Sequence, residues 1–158
     1  MTGQARATRR AIDGTVIEEL DVPPRAAELR LEPHPEGGWY RRTWAASATV
    51  ETEAGRRLAA TLILFLLPPG EASAWHTVAS DEVWLWHGPD PLVLELGGFG
   101  EAPETDERIV LGPGADQEVQ VLVPAGTWQR TVPSTGETLV SCVVSPGFDF
   151  ADFVLRPD

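Results

Sequence analysis

The chain has 158 residues with 12 basic against 24 acidic side chains, a formal charge of −12 that repels nucleic-acid backbones and anionic membrane surfaces, so neither is expected as a partner. All the basic residues are arginine, which removes lysine Schiff-base chemistry, and the one cysteine, Cys142, has no partner for an internal disulfide. A reducing, cytoplasmic setting follows as the expectation, with Cys142 a buried small hydrophobe in the run LVSCVVS.

Residues 1–13 are polar, arginine-rich and aperiodic, and read as a flexible tail ahead of a single domain over 14–158. They lack the apolar centre of a signal peptide, and no run approaches the roughly 18 apolar residues that span a bilayer. A short helix is expected from Gly14 to Leu20. A second is expected to start after Asp21, as its cap, to use Pro23 and Pro24 in its first turn and to end near Arg30.

From Trp39 onward the pattern changes to short apolar or alternating runs separated by Gly and Pro. WYRRTWAAS, RRLAATLILFLL, SAWHTV, EVWLWH, PLVLELGG, RIVLG, EVQVLVP, TWQRTV and ETLVSCVVS predict about nine strands, the count of a β-sandwich or barrel. LPPGEA, HGPDP and LGPGAD are turn segments, and no long helix separates strands to permit parallel crossovers. The fold class is all-β with short N-terminal helices.

Within SAWHTVASDEVW, strand alternation sets His76 and Val78 on one face, and Glu82, Trp84 and Trp86 on one face after a turn at Ala79 to Asp81. A hairpin there points His76 and Glu82 into one interior. A carboxylate on an apolar face is costly unless paired or hydrogen-bonded, which favours a wet functional cavity. The plain alternative is a hydrogen-bonded core histidine and a glutamate at a solvent-facing strand end. Tyr40, the only tyrosine, follows the Gly37–Gly38 pair in EGGWYRR, and alternation lets Arg42 but not Arg41 share its face. It is either a proton donor or an edge-strand aromatic.

The spacing G-x5-H-x5-E-x5-G, from Gly70 through His76 and Glu82 to Gly88, resembles the first motif of the cupin superfamily. VPAGTWQ, ending at Gln129, resembles the second with glutamine in the place of histidine. More closely, PHPEGGWYRRTW, SAWHTVASDEVW, VPAGTWQ and PGFDFADF resemble, in order, the landmark segments of the cupin-5 family, formerly domain of unknown function 985.

The resemblance implies a double-stranded β-helix, or jelly roll, with a cavity at one end and a two-fold homodimer. Metal-binding cupins place ligands where this chain has His76, Val78, Glu82 and Gln129, so no cofactor is expected; a divalent metal, if held, would draw on His76, Glu82 and Gln129. The family often has a histidine after DEVW, where this chain has Leu85 and then His87. Sugar-nucleotide epimerases of similar architecture use a histidine base and a tyrosine acid. By that likeness His76 is the expected base, oriented by Glu82, with Tyr40 the acid; Ser73, Gln129, Trp84, Trp86, Trp128 and Arg42 would contact a small-molecule substrate. Asp149 and Asp152, in PGFDFADF, read first as turn and capping groups. The expected activity is proton transfer by an isomerase, epimerase or cyclase. The alternatives are a non-catalytic small-ligand-binding cupin and a metal-dependent (Fe, Mn or Zn) enzyme.

Overall fold

The computed structural model describes residues 3–105 and 107–156. Its elements in chain order are β1 Arg6–Arg10, β2 Val16–Asp21, α1 Pro24–Leu29, β3 Glu32–Pro33, β4 Trp39–Ala45, β5 Thr49–Thr52, β6 Gly55–Leu58, β7 Thr61–Leu67, β8 Trp75–Val78, β9 Asp81–Pro89, β10 Leu92–Leu96, β11 Glu107–Leu111, β12 Gln120–Val123, β13 Gln129–Thr131, β14 Thr138–Ser145 and β15 Phe153–Arg156. A six-stranded sheet in the order β12-β9-β14-β7-β4-β3 faces a five-stranded sheet in the order β11-β10-β13-β8-β15, and the paired strands run antiparallel. Two-stranded ribbons, β1-β2 and β5-β6, lie outside them. Neighbouring strands distant in sequence, such as β9 beside β14, mark the jelly-roll crossing that the pattern of short strands and turns predicts.

Inward residues of both sheets meet in one core, with Phe65, Leu67 and Val140 from the larger sheet packed among Leu92, Leu94 and Leu96 of the smaller one. Each such side chain contributes about 1.5–3 kcal/mol on burial, which fixes the register because a one-residue slip would turn it outward. Cys142 joins this core as expected.

The N-terminal expectations need correction. Arg6–Arg10 is a strand paired with Val16–Asp21, so residues 6–10 are not a loose tail and Gly14 to Leu20 is not a helix. Charged residues interleaved with few apolar ones hid the hairpin: it packs the facing pair Ala7 and Leu20 on the Trp39 and Leu66 cluster and carries exposed cross-strand pairs such as Arg6 Nη1 to Asp21 Oδ1 at 2.7 Å and Thr8 to Glu19 at 2.8 Å. The start of the chain, residues 1–2, lies outside the described residues. The second helix is present as α1, with Pro24 in its first turn, but Pro23 occupies the cap and Asp21 belongs to β2.

The expected hairpin between SAWHTV and EVWLWH does not form either. β8 and β9 belong to different sheets, so the turn between them carries the chain from one wall of the barrel to the other. His76 and Glu82 still look into one interior, from opposite sides.

Candidate active site

A cavity of about 480 Å³ opens at one end of the barrel. Its floor gathers His34, Glu36, His76 and Glu82, and its rim includes Tyr40, Arg42 and Asp149. His34 and Glu36 come from the loop between β3 and β4. That loop is pressed against its surroundings: Gly37 and Gly38 have φ of 111° and 74°, and a Cβ on Gly37 would run into the Ala72 carbonyl oxygen.

The loop places Glu36 Oε2 2.7 Å from His76 Nδ1. The same nitrogen lies 2.7 Å from the Ala74 carbonyl oxygen, which receives the N–H, so Glu36 Oε2 is an ion-pair partner without a directed hydrogen bond of its own. Burial disfavours a charged His76, but the Glu36 carboxylate beside it, helped by Glu82 and the Ala74 carbonyl, outweighs burial and lifts its pKa to about 9. Burial likewise favours the neutral acid of Glu36, and the neighbouring His76 and His34 reverse that, so its pKa is lowered. The two form a buried ion pair at neutral pH.

His34 behaves in the opposite way. Burial pushes its pKa down to about 4, with Glu36 opposing and His76 and Arg9 adding to the shift. Its Nδ1 accepts the Glu36 backbone N–H at 3.1 Å, which leaves the proton of the neutral ring on Nε2.

Glu82 enters from β9. Gln129, beside His76 in the β8–β13 register, reaches over from the other sheet and donates Nε2–H to Glu82 Oε1 at 2.7 Å, while its Oε1 accepts Trp84 Nε1–H at 2.9 Å. Burial raises the Glu82 pKa to about 7; His76 and the donors Gln129 and Cys142 lower it and Glu36 raises it. Cys142 is held well above the ordinary thiol range, by burial first and then by Glu82 and Glu36, and is not a thiolate nucleophile.

The walls are phenylalanine, not tryptophan. Phe148, Phe150 and Phe153 pack edge to face, with ring centroids 4.9 to 5.8 Å apart, at the cavity mouth. Trp84 is in the core. Trp86 packs against the core with Nε1 on the Asp90 carbonyl, and Trp128 hydrogen-bonds the Gly100 carbonyl. Ser73 is tied to Thr131 through its N–H at 2.7 Å and its hydroxyl at 3.2 Å, so neither it nor these tryptophans reach the cavity.

Tyr40 and Arg42 both line the cavity, Tyr40 edge-on to His34 at 4.5 Å, while Arg41 turns away to the Leu29 carbonyl. His87 lies on the outer face of β9, exposed, with Nε2 2.7 Å from Ser141 Oγ. Asp149 caps the 3₁₀ turn Phe150–Asp152 by accepting the Ala151 N–H, and Asp152 pairs with Arg57 through two contacts of 2.8 and 2.9 Å. The sequence reading assigned no role to His34 or Glu36 and gave Glu82 as the partner of His76. The available signal was an i, i+2 pair of ionisable residues between prolines and a Gly-Gly pair, which no strand pattern explains.

The donors at the metal positions of cupins do not fit a metal. Val78 offers only methyl groups, and both ends of the Gln129 amide are committed to Trp84 and Glu82. Among the described residues no three His, Cys, Asp or Glu side chains are placed to hold an ion.

Two facing antiparallel sheets with jelly-roll crossings and a polar cavity at one end define a double-stranded β-helix, the cupin architecture. The chain belongs to the cupin-5 family, "Cupin superfamily (DUF985)", whose profile matches residues 25–156. A hypothetical protein from Leishmania major is 34% identical with a TM-score of 0.74, the match covering 83% of this chain and 84% of that one. A protein from Shewanella oneidensis is also 34% identical with a TM-score of 0.74, covering 84% and 82%. A dTDP sugar isomerase from Desulfovibrio desulfuricans, 12% identical with a TM-score of 0.51 over 75% of this chain and 83% of its own, shares the fold. No curated protein matches the chain. No helix among the described residues is long and apolar enough to cross a membrane.

Proposed function

We propose that this protein is a metal-independent proton-transfer enzyme, an isomerase or epimerase of a small metabolite held in the barrel cavity. One observation carries the reading: Glu82, buried and with a pKa of about 7, faces the same cavity as the His76–Glu36 ion pair. An acid half-ionised at neutral pH is matched to taking and returning a proton, and a fixed cation is matched to stabilising the negative charge that forms in between.

In this mechanism Glu82 removes a proton from a carbon next to a carbonyl, and the C–H electron pair moves into the carbonyl to give an enolate. The His76 imidazolium, a cation at neutral pH, serves as donor to the oxyanion through Nε2–H, since Nδ1–H is engaged by Ala74. The base role expected of His76 therefore passes to Glu82. The Tyr40 pKa is raised, by burial and then by Glu32, so its hydroxyl stays protonated and can donate beside the Nε2–H of His34. Return of the proton from Glu82 to the neighbouring carbon completes isomerisation; inversion at the original carbon would instead take a proton on the opposite face from a second donor, Tyr40, while Glu82 keeps the one it removed. The phenylalanine wall supplies apolar contact for the rest of a small substrate and excludes water.

The test is solvent exchange. In D2O, with a panel of small keto acids, hydroxy ketones and sugars, the natural protein is expected to wash deuterium into one activated C–H position. Glu82→Gln should slow that exchange at least about 100-fold. A panel member that binds the cavity without exchanging in the natural protein would instead favour a non-catalytic ligand-binding cupin.

A further inference from the structure

We infer that Arg9, on the N-terminal hairpin, is a positioning residue that holds the loop carrying His34 and Glu36 in its working shape. The functional consequence rests on the proton-transfer reading; the placement does not. Arg9 is only 5% exposed and sits at the register shift of the β1–β2 ribbon, which aims its side chain at the barrel. Its Nη1 donates to the carbonyls of His34 at 2.6 Å and Gly38 at 2.8 Å, the two ends of the loop. Nη2 donates to Glu71 Oε1 at 3.0 Å, and the other oxygen of Glu71 accepts Trp39 Nε1–H at 3.0 Å. Nε is 3.3 Å from Glu18 of the same hairpin.

A buried guanidinium must be satisfied in this way, and here Nη1 is spent on the backbone of the site loop while Nη2 and Nε are anchored on Glu71 and Glu18. Without Arg9 the loop keeps its internal closures, His34 N–H to Gly38 O at 2.9 Å and Gly37 N–H to His34 O at 3.0 Å, and one backbone tie to the barrel, Ala74 N–H to Glu36 O at 2.8 Å. The closures hold the turn and the Ala74 bond ties its middle to the barrel, whereas the two ends, at the His34 and Gly38 carbonyls, are held together from outside by Arg9. The loop also sets the tautomer of His34, through the Glu36 N–H on Nδ1, and presents Glu36 to His76. Residues 25–156 are the span matched by the family, so this brace comes from a part of the chain outside it.

The experiment uses ligand-free full chain with imidazole ¹⁵N spectra of His34 and amide exchange of Glu36, in the natural protein, Arg9→Gln and Arg6→Gln. Arg6 is the control, an exposed ion pair on the same strand. The expected result is a single Nε2–H tautomer of His34 in the natural protein and in Arg6→Gln. In Arg9→Gln the two nitrogen signals should move toward averaging, with Glu36 amide exchange about tenfold faster or more. Arg9→Lys keeps the charge but has one nitrogen, which cannot serve the two loop carbonyls and the Glu71 and Glu18 carboxylates together, and should move both readouts the same way if Arg9→Gln does not fold. Folded variants with natural His34 signals and Glu36 protection, whatever their melting temperature, overturn the inference. Failure of deuterium exchange in the natural protein leaves these spectra unaffected and counts against the enzymatic reading alone.

Discussion

Gln129 bridges the two walls of the barrel by donating to Glu82 at 2.7 Å while accepting from Trp84 at 2.9 Å. The residue that stands in a metal-ligand position of the fold is thus a spacer that holds a carboxylate and an indole in place. Gln129→Leu removes both contacts, leaving the Trp84 N–H buried without a partner. It should cost about 1–3 kcal/mol of stability. It should also raise the Glu82 pKa beyond about 7, since the Gln129 donor lowers it. Urea unfolding and a ¹³C titration of Glu82 measure the two effects, and an unchanged titration would remove Gln129 from the electrostatics of the site.

The charges of the cavity set a pH profile for stability. Glu82 holds a proton in the folded chain up to about 7, while the unfolded chain releases it near 4.5, so stability falls as pH rises through that window. The raised His76 pKa contributes stability that is fully present below 6.5 and lost as pH rises through about 9. His34 acts in the other direction: its folded pKa of about 4 lies below 6.5, so stability falls as pH drops through that window. Between 4.5 and 6.5 the slopes of Glu82 and His34 oppose one another; above 6.5 only the falling contributions remain. Unfolding free energy should therefore decline from pH 6.5 to 9 by up to about 3 kcal/mol. A flat profile over that range would mean that His76 is not held as a cation.

Glu36→Gln isolates the ion pair. Burial is already the largest single influence on His76; with the Glu36 carboxylate gone only Glu82 and the Ala74 carbonyl oppose it, and the pKa should drop from about 9 to below its ordinary 6.5. Breaking one side of a buried pair costs about 3–5 kcal/mol, less where the histidine can discharge. Histidine NMR titration reads the shift directly. A His76 that still titrates near 9 would assign its charge to Glu82 and the Ala74 carbonyl instead.

The barrel was legible because its strands alternate. Each of the nine runs from Trp39 onward corresponds to observed strand, with RRLAATLILFLL split into β6 and β7 at Ala59–Ala60. The N-terminal ribbon and the last strand were not legible: β1 and β2 pack only Ala7 and Leu20, set among charged residues, against the Trp39 cluster, and β15 follows a segment that reads as a turn. The site divides along the same line. His76 and Glu82 lie on strands, where a period of two gives their facing, and the structure brings them to one cavity. Glu36 reaches His76 from a loop whose path depends on Gly37, Gly38 and a distant arginine, and local pattern carries no record of such contacts. The tryptophans were misplaced for a related reason: composition gives their number, and only the packing of both sheets decides that Trp84 fills the core while phenylalanines line the mouth.

Gly37→Ala tests whether the site loop depends on close approach or only on backbone conformation. At Gly37 φ is 111° and a Cβ would meet the Ala72 carbonyl, so the substitution carries both strain and a clash with backbone that cannot move aside cheaply. At Gly70 φ is 80° but nothing lies within 4 Å of the added Cβ. Gly70→Ala should therefore cost only the conformational part, about 1 kcal/mol, and Gly37→Ala about 3 kcal/mol or more. The second variant should also displace Glu36 and lower the His76 pKa, because Ala74 N–H holds the Glu36 carbonyl at 2.8 Å next to the point of collision. Equal losses in the two proteins, with His76 unchanged in both, would show that the loop yields without moving the ion pair.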